Sequence, residues 1–448
     1  MMRANWLRGI VAGAMLSLMG LTGCPKSDAP KSGESSPTTS KTGEKEAASS
    51  PAKSKATASA DDVKAAKARL DVLGSRSKYS PKAGDLLTEI VVQDGSNLTA
   101  DDLVLFGKLS DLEKLQILNC RTLDDKMVAK LSGLSKLTSL AITNSVINDQ
   151  AVEMIVKSFP KLVELDLSSN TNMTKGVLKV IGKLSKLQRL TLVQNRFDDI
   201  SAQQIEKLKE LRTLDLRGNM EAGNMLLDVV ADLPKLTGLK HRSPAVTDSG
   251  LESLSRNQTL ESLLMQDFAA GDQSGPHLAK LGKLTQLEVF RCQNFGTDGV
   301  LALKGMSLTR LTLRDLPNVD NRAMEVFDDL PKMRRLYLHE LASVGDAGLK
   351  HLAALKSLEV LDIWSIPQMT DATMDVIVAL PNLKELSIKA TGVSDATVDK
   401  LVGMQSLQSL AFKGNSSVTA EGLKKLASRK WSKLDIGASA DAGESAAQ

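Results

Sequence analysis

The chain has 448 residues, of which 42% are hydrophobic, 25% charged and only 3% aromatic. This composition is typical of a globular protein whose core is built from many small aliphatic wedges. The formal net charge of +4 is small for this length and gives no support to nucleic-acid binding. The three cysteines, Cys24, Cys120 and Cys292, lie far apart and in no metal-binding or redox spacing, which excludes a disulfide framework.

The chain begins with the pattern of an export signal, which we assign to residues 1–23. Arg3 and Arg8 supply the positive start, and residues 9–21 form an apolar stretch too short to span a bilayer comfortably. The stretch ends in Leu-Thr-Gly-Cys, which resembles the lipobox of bacterial lipoproteins. The resemblance implies that Cys24 carries a lipid and tethers the chain to a membrane of the bacterial cell envelope. An uncleaved anchor and an ordinary secretory signal are the alternatives.

Two segments offer nothing for a core. Residues 24–60, which start with the lipidated Cys, contain no Leu, Ile, Val, Phe, Tyr or Trp and are predicted to be a disordered linker. Residues 438–448 are predicted to be a second disordered tail. Between the linker and the first repeat, residues 61–86 are predicted to form an N-terminal cap, with an amphipathic helix over 61–78.

From Leu87 onward, one pattern recurs in which an apolar residue is followed three and five residues later by further apolar residues. Most of the intervals are 24 or 25 residues, except for 27 and 21 on either side of Leu287. The pattern opens at Leu87, Leu112, Leu137, Leu162, Leu187, Leu211, Leu236, Leu260, Leu287, Leu308, Met333, Leu358, Leu383, Leu407 and Trp431. Such a period predicts a stack of about fifteen turns.

Each turn is predicted to contain a strand, a loop and a helix. Leu165 and Leu167 alternate as in a short strand with one buried face. About a dozen residues after the opening residue, pairs such as Thr247-Asp248 can cap free N–H groups at a helix start. An amphipathic stretch follows, for example over residues 348–355. No turn can bury its apolar side without its neighbours.

The Leu-x-x-Leu-x-Leu strand, followed by Val-Thr-Asp-x-Gly-Leu, resembles the leucine-rich repeats of the ribonuclease-inhibitor-like group. It is most similar to the subclass found in F-box proteins and in many bacterial surface lipoproteins. The resemblance implies an α/β leucine-rich-repeat solenoid over residues 87–437. This solenoid would be a right-handed horseshoe with parallel strands on its concave face and helices on its convex face. The sequence carries no F-box, so ubiquitin-ligase function is not implied.

A few polar residues fall at inward positions. We place His241 and Cys292 at the same inward strand position, two turns apart. Strands about 4.8 Å apart would leave these residues roughly 10 Å apart, too far to share a metal ion, so we expect a locally imperfect core instead. Other polar residues fall where this repeat class uses Asn or Cys to satisfy the loop backbone, namely Cys120, Asn170, Asn195, Asn219 and Asn415.

The sequence shows no phosphate-binding loop, no His-Glu-x-x-His and no nucleophile arrangement that a repeat role does not explain better. We therefore expect a protein that is not an enzyme and needs no metal or cofactor. An active site hidden in the loops is the alternative, and it would require a histidine, an acid and a nucleophile close together in space. The segment 268–275 looks like an extra loop, which could mark a functional edge or repeat decay.

The variable residues beside the strand leucines are expected to point out of the concave sheet. Between the turns opening at Leu211 and Met333 they include seven cations against four acids. Because Arg, Tyr and Trp dominate interface hot spots, a cluster of these types predicts a binding surface, although a long array can also show one by chance. The candidate residues are Arg217, Lys240, Arg242, Arg291, Arg310, Arg314, Arg335, Tyr337, His339 and Trp364.

These observations favour a membrane-tethered, non-catalytic scaffold that binds proteins on its concave face. The expected partner is an acidic protein, with a polyanionic glycan as the second choice and no nucleic acid. A structural cell-envelope repeat protein without a discrete ligand is the alternative. The sequence does not indicate which membrane or leaflet carries the lipid.

Overall fold

The computed structural model describes residues 58–437. The predicted signal peptide, the lipidated Cys24, nearly all of the linker and the tail at 438–448 lie outside the described residues. Within residues 58–437, no helix is long and apolar enough to cross a membrane.

One sheet of sixteen strands runs through the described part of the chain, with the strands in sequence order. The first two strands pair antiparallel, and every later pair is parallel. The strands are β1 Ser77–Ser80, β2 Glu89–Val92, β3 Lys114–Ile117, β4 Ser139–Ile142, β5 Glu164–Asp166, β6 Arg189–Thr191, β7 Thr213–Asp215, β8 Gly238–Arg242, β9 Ser262–Gln266, β10 Gln286–Phe290, β11 Arg310–Arg314, β12 Arg335–His339, β13 Val360–Trp364, β14 Glu385–Lys389, β15 Ser409–Lys413 and β16 Lys433–Gly437.

Short helices connect the strands. The α-helices are α1 Ala60–Leu73, α2 Ala100–Gly107, α3 Asp125–Ala129, α4 Asp149–Ser158, α5 Val177–Ile181, α6 Asp199–Ala202, α7 Asn224–Ala231, α8 Asp248–Leu254, α9 Gly275–Ala279, α10 Thr297–Leu301, α11 Asp346–Leu349, α12 Asp371–Val378, α13 Asp395–Gly403 and α14 Ala420–Ser428. The 3₁₀ segments are Gly74–Arg76, Lys130–Gly133, Gln203–Lys207, Asp272–Ser274, Asn321–Asp329 and Lys350–Ala354.

Strands β2 to β16 give fifteen parallel turns, so the predicted solenoid is confirmed. The second position of each strand explains why the turns stack. Leu115, Leu140 and Leu165 are register partners on neighbouring strands, and each is at most 1% exposed. Full burial of a leucine contributes roughly 1.5–3 kcal/mol, and here it is possible only because the next turn covers the side chain.

The N-terminal cap differs from its prediction. Helix α1 buries Val63, Ala66 and Leu70 against the first turn, as expected for a cap. The helix ends earlier than residue 78, because Gly74 adopts the left-handed conformation at φ 60°. The residues after it form β1, which pairs antiparallel with β2 and which the sequence pattern did not reveal.

The predicted asparagine position is confirmed by its hydrogen bonds. Asn170 is fully buried, and its Nδ2 donates to the carbonyl oxygens of Ile142 at 2.7 Å and Leu167 at 2.9 Å. Its Oδ1 accepts from the backbone N–H of Ser145 at 2.9 Å. The amide thus satisfies loop backbone groups in two turns at once, where burial without a partner would be costly.

The two residues of a predicted capping pair cap different helices. The first caps its own helix as expected, as when the Ser394 side chain accepts from an N–H in the first turn of α13. The aspartate in the first turn of a helix accepts hydrogen bonds mainly from the helix start of the following repeat. Asp199 of α6 accepts from the N–H of Gly223 at 2.6 Å and of Leu226 at 3.0 Å, at the start of α7. Asp395 of α13 likewise accepts from the N–H of Thr419 at 2.9 Å, ahead of α14. These aspartates tie neighbouring turns together and place negative charge at a positive helix end.

The irregular spacing around Leu287 came from assigning the wrong residue as the opening residue of this turn. Leu287 pairs in register with Leu263 of β9 and Leu311 of β11, so it is the second strand residue and Leu284 opens the turn. Both intervals then become 24 residues, and no extra loop exists. The residues of the supposed insertion are ordinary: Phe268 is 2% exposed, and Asp272 accepts hydrogen bonds from the start of α10.

Candidate binding surface on the concave sheet

Three positions of each five-residue strand point away from the core: the first, the third and the fifth. In β12 these are Arg335, Tyr337 and His339, which alternate with the buried Leu336 and Leu338. Parallel register places equivalent residues of successive strands side by side, about 4.8 Å apart. The outward residues therefore form three columns that run across the sheet, and a candidate site can be assembled from residues about 25 positions apart in sequence.

Two of the predicted cations meet on one carboxylate. Asp267, just after β9, accepts from Nε of Arg242 and, at 2.7 Å, from Nε of Arg291. Burial acts to raise the pKa of Asp267, but the two guanidinium groups outweigh it and hold that pKa below its usual range. Asp267 adopts φ 56°, which turns its side chain toward both arginines. One carboxylate thus neutralises half of the positive charge of this pair.

Two further cations are also paired. Arg217 forms a bidentate contact with Asp215 on its own strand, with Nη2 at 2.9 Å from Oδ2. Arg314 contacts Glu340 of the next turn at 2.9 Å. Four of the seven predicted cations thus have carboxylate partners, so fewer cations are free to meet a partner than the number of cations in the sequence indicated.

The remaining three cations, Lys240, Arg310 and Arg335, make no ion pair with any carboxylate of residues 58–437. Lys240 lies on β8, three strands before β11, and is isolated from the others. Arg310 and Arg335 occupy the first position of adjacent strands and are register partners. The guanidinium of Arg310 also lies over the ring of Tyr337, 5.0 Å from its centroid.

An aromatic cluster adjoins these two arginines. The guanidinium of Arg314 lies 4.5 Å from the ring centroid of Phe290 and 5.2 Å from that of Trp364. His339 packs edge-on against Trp364, with the ring centroids 5.7 Å apart. Phe290 was missed from the sequence, because the wrong register at Leu287 assigned it to the core. Once Leu284 opens the turn, the strand alternation alone places Phe290 on the outward side.

The exposure of His339 differs from the prediction. The ring lies at an outward position but is only 7% exposed, because Tyr337 and Trp364 flank it. Its Nε2 lies 3.5 Å from Oδ1 of Asp362 on β13. Burial acts to raise the pKa of Asp362, but contact with His339 and other neighbours leaves that pKa below its usual range. His339 therefore supports the cluster from beneath, with little surface of its own to offer a partner.

Fewer outward residues are both accessible to solvent and close to one another than the sequence predicted. We define the arginine–aromatic patch as Arg310, Arg335, Tyr337 and Trp364, on β11 to β13. Arg335 is exposed, and the other three are half-buried. The patch presents two positive charges beside two rigid rings, which is the residue chemistry of interface hot spots.

The inward polar residues form no reactive site. His241 is completely buried, with Nε2 at 2.8 Å from the carbonyl oxygen of Ala222, and burial lowers its pKa. Contrary to the prediction, Cys292 does not lie at the strand position that His241 occupies. It falls six residues after the strand start, in the column of Cys120 and Asn170, and burial raises the pKa of its thiol to about 12. Among residues 58–437, no three His, Cys, Asp or Glu residues are grouped to hold a metal ion.

Comparison with known proteins supports the repeat assignment. A family model described as leucine-rich repeat region matches residues 145–306, and one described as leucine rich repeat matches residues 403–427. These matches and the solenoid together support the assignment of a leucine-rich-repeat fold.

Individual relatives are distant. Tsukushi from Gallus gallus is 26% identical over 246 residues, which cover 51% of this chain and 62% of that protein, less than two thirds of its length. A chain from the Rad7 and Elc1 complex in yeast is 16% identical, with a TM-score of 0.52, and covers 81% of this chain and 90% of its own. An internalin (inlF) from Listeria monocytogenes is 17% identical, with a TM-score of 0.48, and covers 84% and 96%. At these identities, structural likeness shows the fold alone.

Proposed function

We propose that this chain is a membrane-tethered, non-catalytic scaffold that binds an acidic protein through the arginine–aromatic patch. Extended concave sheets are the binding surfaces that repeat solenoids generally use. The observation that carries the proposal is the side-by-side placement of Arg310 and Arg335, neither of which forms an ion pair with a described carboxylate. Glu359 acts on Arg335 only through a longer-range attraction, which helps to lower the pKa of Glu359. Like charges opposite each other on adjacent strands destabilise a sheet, and carboxylates of a partner would relieve the repulsion.

The contrast with neighbouring arginines strengthens this argument. Arg242, Arg291 and Arg314 all have a carboxylate within hydrogen-bonding distance. On this face of residues 58–437, only the first-position column at β11 and β12 places two guanidinium groups side by side without an ion-paired carboxylate. Tyr337 and Trp364 add apolar area at low cost in side-chain entropy, because each ring has only two rotatable bonds.

Binding to defined acidic probes tests this proposal. The probes are a poly-glutamate peptide and, for the glycan alternative, a heparin fragment. We expect the double variant Arg310→Glu, Arg335→Glu to lose at least tenfold in affinity for the peptide and the wild type to bind more weakly as salt rises. The matched control is Arg121→Glu, Arg196→Glu, which changes the same charge at two exposed arginines elsewhere.

The outcomes distinguish the candidate functions. Preference for heparin over the peptide would favour the polyanionic glycan. Equal binding by the two double variants would show that only net charge matters and would overturn the assignment of the patch. Absence of binding to both probes would favour a structural repeat protein without a discrete ligand.

The membrane tether is a separate part of the proposal and rests on the sequence at Cys24. Several acyl chains on one Cys give a stable anchor, since each buried CH₂ contributes about 0.8 kcal/mol. We expect Cys24→Ala to move the protein from the membrane fraction to the soluble fraction of a bacterial cell. Retention of that variant in the membrane fraction would instead favour an uncleaved anchor.

A further inference from the structure

The last strand of the sheet leaves one edge unpaired among the described residues. Strand β16 pairs with β15 on one side and with no described strand on the other. Side chains that are covered elsewhere in the stack remain partly exposed here. Leu410 and Phe412 of β15 are 2% and 1% exposed, whereas their register partners Leu434 and Ile436 are only partly buried. An edge with free N–H and C=O groups beside apolar side chains is a template for another strand.

At the opposite end of the stack the apolar core is covered, although β1 also has no described strand on its outer edge. Helix α1 covers the first turn with Val63, Ala66 and Leu70, which are 2%, 0% and 0% exposed. The edge strand at that end, β1, is antiparallel to the rest of the sheet and is followed by Pro81, which cannot donate to a ladder. The apolar core is therefore left partly open only at the β16 end of the described stack, and two β16 edges can cover it for each other.

We propose that two copies of this chain associate tail to tail through antiparallel pairing of their β16 strands. In an antiparallel pair, directly opposed residues point to the same face. The twofold axis must therefore lie midway between the two copies of one residue, which is opposed to itself. An axis through Lys433 or Asp435 would place that charge opposite itself. An axis through Leu434 places Lys433 of each copy opposite Asp435 of the other, with Leu434 facing Leu434.

The charges of this edge therefore select one register. Lys433 and Asp435 are both exposed, and Asp435 already contacts Lys413 of β15 at 3.0 Å. The two contacts between Lys433 of one copy and Asp435 of the other would continue this alternation of positive and negative side chains across the twofold axis. The apolar side chains around the axis would at the same time lose contact with water. Only a short strand and one helix per copy take part, so the interface falls in the small, transient class.

Sedimentation equilibrium over a wide concentration range tests this pairing. The full chain carries Cys24→Ala, so that a lipid does not drive association. We expect a monomer–dimer equilibrium that Lys433→Glu alone and Asp435→Lys alone each weaken about tenfold, because each puts like charges opposite one another twice. An equimolar mixture of the two variants should recover the wild-type constant, because every pair in the mixed dimer is again attractive. Lys280→Glu, an equal charge change on a distant helix end, is the control.

A covalent trap gives an independent measurement of the register. Leu434→Cys places two thiols on the twofold axis, and mild oxidation should link the copies through residue 434. Thermal melts of each variant verify that the fold is intact. A monomer at every concentration would overturn the proposal. Coverage of the β16 edge by residues 438–448 would give this result. A dimer that is insensitive to the charge variants and not linked through residue 434 would show that a different surface associates. This inference does not depend on the proposed binding function.

Discussion

The asparagine column makes the sharpest prediction about what holds the stack together. Asn219 is fully buried. Its Nδ2 donates to the carbonyl oxygens of Leu192 at 2.7 Å and Leu216 at 2.8 Å. Its Oδ1 accepts from the backbone N–H of Asn195 at 3.2 Å and of Phe197 at 3.0 Å. We consider the change Asn219→Ala, which removes all four contacts at once.

The magnitude follows from the groups left without a partner. The carbonyl of Leu216 keeps other donors, including its bond from the N–H of Asn219. Three buried backbone groups lose the side-chain contact, each worth roughly 1–3 kcal/mol, and burial of the amide itself is no longer required. We therefore expect a loss of about 3–5 kcal/mol in the free energy of unfolding.

Two measurements check this value. Urea unfolding followed by circular dichroism gives the overall loss, and hydrogen exchange of the loop amides after β6 should speed up by more than about a hundredfold. The control is Asn172→Ala, an exposed asparagine with one bond to a loop carbonyl, which should cost no more than about 0.5 kcal/mol. A loss below about 1 kcal/mol for Asn219→Ala would refute the reasoning.

Three further predictions concern single side chains. Burial acts to raise the pKa of Asp198, but its hydrogen bonds hold it at about 2, so its stabilisation is complete above about pH 4 and is lost as pH falls toward 2. Asp198→Asn should remove about 1–2 kcal/mol at pH 7 and flatten the loss of stability between pH 4 and 2, and an unchanged acid titration would contradict this. Cys292 should resist alkylation at pH 8 until urea unfolds the protein, as measured by peptide mass spectrometry. Gly107→Ala would place a methyl carbon 1.9 Å from a carbonyl oxygen of the next turn, so it should lower the thermal midpoint clearly, whereas Gly282→Ala, with open space around it, should not.

The sequence predicted the solenoid because its period is a direct record of stacking. A leucine such as Leu165 must recur wherever a turn covers its neighbour, so fourteen of the fifteen turns and their strands were located correctly from spacing. The asparagine column was equally accessible, because a buried loop needs a donor and an acceptor at a fixed distance from the strand.

The register of one turn was misassigned because two registers fit the apolar pattern. Leu284, Leu287 and Val289 fit it, and so do Leu287, Phe290 and Cys292, but only the first choice gives two regular intervals of 24 residues. Pairing with β9 and β11 resolves the ambiguity. That choice decides whether Phe290 belongs to the core or to the surface.

The electrostatics of the concave face were also beyond the sequence. Counting charges gave the balance of cations and acids but not which groups meet, whereas in the structure Arg242 and Arg291 both contact Asp267. His339 was expected at the surface because of its outward position, but the rings of Tyr337 on its own strand and Trp364 on the next strand flank it. Such contacts depend on side-chain reach across strands, which no single repeat records.

Site-specific cross-linking tests the central claim most directly. A photoreactive amino acid replaces Tyr337 in the patch or, as a control, Gln116 at the same outward position of β3. Irradiation in living cells should trap an acidic protein from position 337 only, and Arg310→Glu, Arg335→Glu should abolish the product. Capture of the same protein from both positions, or from position 337 despite the charge reversal, would contradict the assignment of binding to the arginine–aromatic patch.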